Sequence, residues 1–186
     1  MESRSLLNHE SLNHTLDRLA YQVFERHLNV SELALVALQP RGTFLGRRIL
    51  SRLKSMYGTE DIRYGELDIT FHRDDFRRRD EMLVPASTNL DFSLEGIHII
   101  LIDDVLYTGR TVRAGLDAML DYGRPANVEL MALIDRRFSR ELPVQPDYTG
   151  RVVDVVTDET VKVKWSEDDT NNEVILFSST KHDEVK

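Results

Sequence analysis

The sequence predicts an α/β protein: a central, mostly parallel sheet flanked by helices, with a C-terminal antiparallel hairpin. Three observations carry this. First, Leu33 to Leu38 (LALVAL), Ile99 to Ile102 (IILI) and Val128 to Ile134 (VELMALI) are largely apolar runs, as expected of strands buried on both faces. Second, the first two runs each pass through a short polar turn into residues at helical spacing, the alternation from which parallel sheets are built. Third, Val161, Val163 and Trp165 alternate with polar residues, SEDDTNN makes a turn, and an apolar run resumes at Val174 to Phe177.

In order, the chain is expected to begin with an amphipathic helix whose face is Leu12, Leu16, Leu19 and Val23. Leu33 to Leu38 then ends in Gln39-Pro40-Arg41-Gly42, and the next helix carries Leu45, Ile49, Leu53 and Met56 on one face. Leu67, Ile69 and Phe71 alternate with polar residues, so Glu66 to Phe71 reads as a strand with one wet face. HRDDFRRRDEM follows, dense in both charge signs, as a solvated loop would be. After the central strand, Val112, Leu116, Met119 and Leu120 predict a helix, with Gly123 at its C′ position and Pro125 beyond. Val128 to Ile134 ends in Asp135-Arg136-Arg137, and a further strand is read at Val152 to Val156.

With 186 residues, 41% of them hydrophobic, the chain suits one domain. It has no cysteine, which removes disulfides and thiolate chemistry and fits a cytoplasmic protein. No stretch is long and apolar enough to span a bilayer, so no membrane partner is expected. A net charge of −8 argues against general nucleic-acid binding. No G-x-x-x-x-G-K-[ST] occurs, which excludes a Walker A loop, and His9, His14 and His27 do not form a metal-ligand constellation.

The chemistry concentrates at Ile99 to Thr111, IILIDDVLYTGRT. A strand, a turn (Thr108, Gly109, Arg110, Thr111) and a helix N-terminus make an anion site: free backbone N–H groups point outward, and the dipole adds roughly half a positive charge. Gly109 removes a Cβ that would keep a phosphate away, and the hydroxyls of Thr108 and Thr111 can donate to it. Asp103 and Asp104 repel that phosphate and suit sugar hydroxyls or a Mg²⁺-bearing substrate beside it. An acid pair has no packing role at a buried strand end, which sets the site above the reading of an ordinary α/β turn.

This stretch resembles the phosphoribosyl-diphosphate (PRPP) signature of type I phosphoribosyltransferases, and every position fits. The resemblance implies that fold, with a hood over the site at about 151–178, all in one domain of residues 1–186. It implies that Thr108 to Thr111 hold the 5′-phosphate and that Asp103 and Asp104 hold the ribose and serve catalysis. Pro40, Arg41 and Gly42 would bind pyrophosphate in a turn whose non-proline cis peptide would precede Arg41. DITFHRDD matches the family's mobile loop, at about residues 71–82, with Arg73 meeting the leaving pyrophosphate beside Arg41. Val105, Leu106, Tyr107, Ile134, Asp135 and Arg136 would surround the base. Mg²⁺ would arrive mainly with PRPP, with Asp103 and Asp104 as further ligands.

Over nearly its whole length the chain resembles one branch, the PyrR family of pyrimidine-operon regulators with uracil phosphoribosyltransferase activity. The pieces are DITFHRDD, IDDVLYTGRTVRAGLDAMLDYGRP, ELPVQPDYTG and the C-terminal hairpin. This implies conversion of uracil and PRPP to UMP and pyrophosphate by a homodimer or homotetramer. Enzymes acting on 6-oxopurines usually carry an aspartate just before T-G; Tyr107 stands there, which favours a pyrimidine over purine salvage. The family's other activity, UMP-dependent binding of pyrimidine-operon mRNA, stands as an alternative rather than an expectation. Asp17 and Tyr21 occupy positions of a threonine and a histidine in RNA-binding relatives, and DRRFSRELPVQPDY is one residue longer than the family's D-R-G-H-R-E-L-P-I-R-A-D-Y. Arg136, Arg137, Arg140 and Arg151 are the cations that would compensate.

Overall fold

The computed structural model describes residues 2–72, 87–154, 159–167, 169 and 171–178. Five strands form one parallel sheet: β2 (Leu33–Leu38), β3 (Arg63–Leu67), β4 (His98–Leu106), β5 (Asn127–Arg137) and β6 (Tyr148–Asp154), in the order β3-β2-β4-β5-β6. Every residue of β2 is buried, and the reason is visible in its neighbours. Leu33, Leu35 and Ala37 face α1 (His9–Arg26) and α2 (Gly42–Tyr57), while Ala34, Val36 and Leu38 face α3 (Arg110–Met119). A fully buried Leu contributes about 1.5–3 kcal/mol, so a charge at Leu35 would break the first of these layers.

Both long helices follow the expected faces. Leu12, Leu16, Leu19 and Val23 of α1 and Leu45, Ile49 and Leu53 of α2 are buried together against the sheet. Asn8 caps α1 by accepting from the Ser11 N–H at 2.8 Å. α3 departs from the expected stripe: Leu116 and Leu120 are exposed, while Val112, Ala114, Gly115, Ala118 and Met119 are buried. Close packing selects the small residues, since a Cβ on Gly115 would meet Leu38 Cδ2 at 2.7 Å. The α-helix stops at Met119, and Gly123 instead closes a following 3₁₀ turn, Leu120–Tyr122.

Three further expectations are corrected. The chain opens with a strand, β1 (Glu2–Leu7), ahead of the helix, and it pairs antiparallel with β8 (Glu173–Ser178). With β7 (Glu159–Lys164) these make a second sheet of order β1-β8-β7, so the C-terminal hairpin gains a strand from the other end of the chain. Residues 151–154, read as part of that hairpin region, belong to the parallel sheet through pairing with β5. Glu66 to Phe71 is not one strand: β3 covers Arg63–Leu67 and a 3₁₀ turn covers Thr70–His72. The alternation seen there is of burial along an irregular segment, held by Asp68, whose Oδ1 accepts from the Thr70 N–H at 2.9 Å.

Candidate active site

Two strand–turn–helix connections meet at the carboxyl end of the parallel sheet, where open α/β sheets bind ligands. In the first, the N-terminus of α2 presses on β4: a Cβ at Gly42 would lie 2.6 Å from the Ile102 carbonyl oxygen. That approach brings Arg41 onto the acid pair, with Nε donating to Asp104 Oδ2 at 3.2 Å. Arg41 also donates to the carbonyl of Val163 in β7. Thr43 Oγ1 donates to the Pro40 carbonyl at 2.7 Å and closes the turn. The cis peptide expected before Arg41 lies one residue earlier, at Gln39–Pro40.

Asp103 and Asp104 are 6% and 7% exposed. Asp103 Oδ1 accepts from the Asp104 N–H at 3.0 Å. Burial pushes the Asp104 carboxyl above the usual carboxylate range, and the charge and hydrogen bond of Arg41 offset this only in part. Among the described residues no group of three His, Cys, Asp or Glu side chains could hold a metal. A pair of acids does fit Mg²⁺, which binds through one or two carboxylates plus substrate phosphates.

The second connection is the turn from Tyr107 to Arg110. Gly109 has φ 92°, in the left-handed region, and a Cβ there would meet Val144 Cγ2 at 2.6 Å. The glycine is therefore required by backbone conformation and by the 142–144 segment, a stronger reason than room for a phosphate. The same segment braces the turn: the Thr108 carbonyl accepts from the N–H groups of Glu141 and Leu142 at 3.0 and 3.2 Å. Arg110 Nε donates to Glu141 Oε2 at 2.7 Å. Neither α2 nor α3 is capped by the side chain of its N-cap residue or has an acid in its first turn, and only a long bond of 3.4 Å from the Arg110 N–H to Thr108 Oγ1 stands at the start of α3, whereas α1 has Asn8 and Glu10. The two helix ends at the site are left able to receive an anion.

At the third corner, Val105 pairs with Ile134 and Leu106 with Asp135 across β4 and β5. The Leu106 and Ile134 side chains are buried in the core, so only their backbones face the cleft. The Arg136 guanidinium lies 3.9 Å over the Tyr107 ring. Its Nη2 donates to the Glu159 carbonyl at 3.0 Å, and its Nε is buried with no partner among the described residues. Arg140 donates to Asp135 and to the Tyr107 carbonyl.

The structure thus gathers Arg41, Asp103, Asp104, Thr108, Gly109, Arg110, Thr111, Tyr107, Asp135 and Arg136 around one end of the sheet. Arg73, and with it Arg77, Arg78 and Arg79, lies outside the described residues, as does the expected loop beyond His72. The four arginines read as a compensating set sit in two different settings. Arg136 is buried and Arg140 is paired with Asp135, while Arg137, 3.6 Å from Asp154, and Arg151, which donates to the Leu6 carbonyl, are exposed. Asp17 is engaged as well, accepting from Arg52 Nε at 2.7 Å. The bracing by Arg140, Glu141 and Val144 went unread because it joins segments 30 or more positions apart; the ELP piece was its only local signal.

A family model described as a phosphoribosyl transferase domain matches residues 2–170. The chain is 44% identical over 168 residues to the bifunctional protein PyrR of Elusimicrobium minutum, covering 90% of this chain and 93% of that one. It is 41% identical over 177 residues to the bifunctional protein PyrR of Desulfosudis oleivorans, covering 95% and 97%. Among solved structures, a hypoxanthine phosphoribosyltransferase from Staphylococcus aureus superposes with a TM-score of 0.69 at 17% identity, covering 96% of this chain and 93% of that one. At that identity the likeness shows the fold alone.

Proposed function

Because the chain belongs to the phosphoribosyltransferase domain family, in its PyrR branch, we propose that it is a uracil phosphoribosyltransferase, forming UMP and pyrophosphate from uracil and PRPP. The observation that carries this reading is the buried acid pair at the end of β4, met by Arg41 and flanked by two helix N-termini that their N-cap residues leave uncapped. In the reaction the bond from ribose C1 to the pyrophosphate oxygen breaks, the bond from C1 to uracil N1 forms, and the N1 proton is released. The turn Thr108 to Thr111 holds the 5′-phosphate, so remote binding is converted into position at C1. Asp103 and Asp104 hold the ribose hydroxyls and are the residues that would hold Mg²⁺, which supplies charge neutralisation for the leaving group. Pro40, Arg41 and Gly42 receive the pyrophosphate, and Arg73 joins Arg41 there. Uracil lies against Tyr107, Arg136 and the backbones of Val105, Leu106, Ile134 and Asp135. No general base is assigned.

The test is nucleotide formation from PRPP with a panel of bases. Uracil turned over in preference to hypoxanthine and guanine supports the proposal; preference for a purine replaces it with purine salvage. A second reading, UMP-dependent binding of pyrimidine-operon mRNA, is favoured by the word bifunctional in the relatives' names. The burial of Arg136 and the pairing of Arg140 with Asp135 weigh against it, and RNA affinity measured with and without UMP decides. The proposal includes a cytoplasmic homodimer or homotetramer of one-domain subunits, which light scattering tests. Among the described residues no helix is long and apolar enough to cross a membrane.

A further inference from the structure

Strand β7 receives two arginines of the site. Arg41 donates to the Val163 carbonyl and Arg136 to the Glu159 carbonyl, so the ends of one six-residue strand are tied to the β2–α2 turn and to the end of β5. The chemistry of the transfer does not demand this arrangement. It makes the Val163 end of β7 a determinant of where the Arg41 guanidinium sits, while Arg136 is tied at the far end of the strand.

Beyond its ladder with β8, what ties β7 to α2 is the residue just after it. Trp165 is the chain's single tryptophan and is fully buried. Its ring packs on α2, with the Arg48 guanidinium 4.4 Å from the ring centroid and the Phe44 ring 6.5 Å away. Arg48 continues to Glu167 at 2.7 Å and to Asn172 Oδ1 at 3.3 Å, and the same Asn172 oxygen accepts from the Ser166 N–H at 2.8 Å. The indole N–H is buried without a partner among the described residues, so the ring's orientation is set by the stack and not by a polar tie of its own. Phe44 and Arg48 lie in the first two turns of α2, the helix that begins directly after Arg41. One helix therefore grips the strand at Trp165 and delivers Arg41 to the same strand two residues earlier.

We propose that Trp165 is a positioning residue for the pyrophosphate end of the site: clamped by Arg48, it holds β7 so that the Val163 carbonyl and Asp104 together fix the Arg41 guanidinium, and an anion bound at the β2–α2 turn is felt at the indole. This rests on reading that turn as the pyrophosphate site. An anion that draws Arg41 away from the Val163 carbonyl loosens the strand end beside Trp165, while uracil at the other corner leaves it in place.

Magnesium pyrophosphate titrated into the full chain, followed in parallel by calorimetry and tryptophan emission, tests the link. The expected result is an emission change that saturates together with the binding heat. Arg48→Gln, which removes the guanidinium from the stack but keeps both the Trp165 and Phe44 rings, is expected to raise KM for PRPP about tenfold while KM for uracil stays put. Trp165→Phe keeps a ring under Arg48 and should hold KM for PRPP near the wild-type value; Trp165→Leu should not. If Trp165→Leu fails to fold, Arg48→Gln carries the test alone. Pyrophosphate binding with silent emission overturns the proposal, as does an Arg48→Gln variant whose only change is a lower melting temperature or an equal rise in both KM values. A wild-type protein that binds pyrophosphate but turns over no base defeats the phosphoribosyltransferase reading and leaves the emission to decide the positioning role. No pyrophosphate binding at all defeats both.

Discussion

Two buried carboxylate sites stand at opposite ends of the parallel sheet, and their surroundings differ in kind. Glu129, at the start of β5, is 4% exposed and fully matched. It accepts from Tyr148 OH at 2.5 Å and from His27 Nε2 at 2.8 Å, and Arg26 lies 2.9 Å away. Burial pushes its pKa up, but the bonds from Tyr148 and His27 and the charges of His27 and Arg26 outweigh this and hold it below the usual range. Asp104, at the other end, has the charge of Arg41 as partial compensation and ends up above the usual range. A carboxylate whose partners are complete has nothing left to offer a ligand. One left partly compensated in a buried turn keeps an appetite for cations and hydroxyl donors. The first is an anchor between α1, β5 and β6; the second is equipped for binding.

The largest expected effect tests the second half of that contrast. Asp104→Asn should lower kcat/KM for nucleotide formation by about 10²–10³-fold, since it removes charge from a desolvated site. The far-ultraviolet circular dichroism should not change. Unaltered kinetics would mean that the acid pair does not touch the substrate, and a collapsed fold would mean that Asp104 is an anchor like Glu129.

The converse substitution comes next in size. Glu129→Gln takes the carboxylate acceptor from Tyr148 and His27, while Arg26 keeps Asp147 at 3.7 Å, and should cost about 2 kcal/mol in urea unfolding. Kinetic constants per folded molecule should remain near wild type. A large change in KM for PRPP without loss of stability would show that the two ends of the sheet are coupled, and the contrast would fail.

The two sites also differed in how far they could be read before any coordinates. Asp103, Asp104 and the turn Thr108 to Thr111 form one contiguous stretch, because a strand end and a helix start are adjacent in sequence whenever a turn makes an anion site. The centre of the parallel sheet was legible for the same local reason, β2, β4 and β5 being apolar runs long enough to stand out, whereas its edges, RYGEL in β3 and YTGRVVD in β6, are not. Glu129 was not legible: it sits inside VELMALI, and its partners come from positions 27 and 148, over a hundred residues away in one direction. β1 was missed because its strand partner is β8, at the far end of the chain, and a six-residue ESRSLL carries too little alternation to declare itself. The α3 stripe was misread because large apolar residues were taken as the buried ones; a tight helix–sheet approach buries Ala114, Gly115 and Ala118 and pushes Leu116 and Leu120 outward. Local chemistry announces itself in sequence, while closure by distant partners does not.

The smallest expected effect is the pH dependence of stability, where the two acids should act with opposite sign. Glu129 has a folded pKa below its unfolded value, so the unfolded chain takes up the proton first. Its contribution is complete above the unfolded value of about 4.3 and is lost as pH falls through the lower, folded one. Asp104 has a folded pKa above its unfolded value, so its ionisation opposes folding at neutral pH. That penalty fades as pH falls through the folded value and is gone below the unfolded one of about 3.9. Urea unfolding from pH 7 down to pH 4 should therefore give two difference curves against wild type. The Asp104→Asn curve should lie on the stabilised side at pH 7, by on the order of 1 kcal/mol, because Arg41 is partly exposed and keeps both solvent and the Val163 carbonyl once its partner is neutral. It should shrink toward zero in acid. The Glu129→Gln curve should lie on the destabilised side and begin to close only at lower pH. Two curves of the same sign would mean that Arg41 compensates Asp104 as completely as Tyr148, His27 and Arg26 compensate Glu129, and the difference between the two ends of the sheet would then have to come from shape alone.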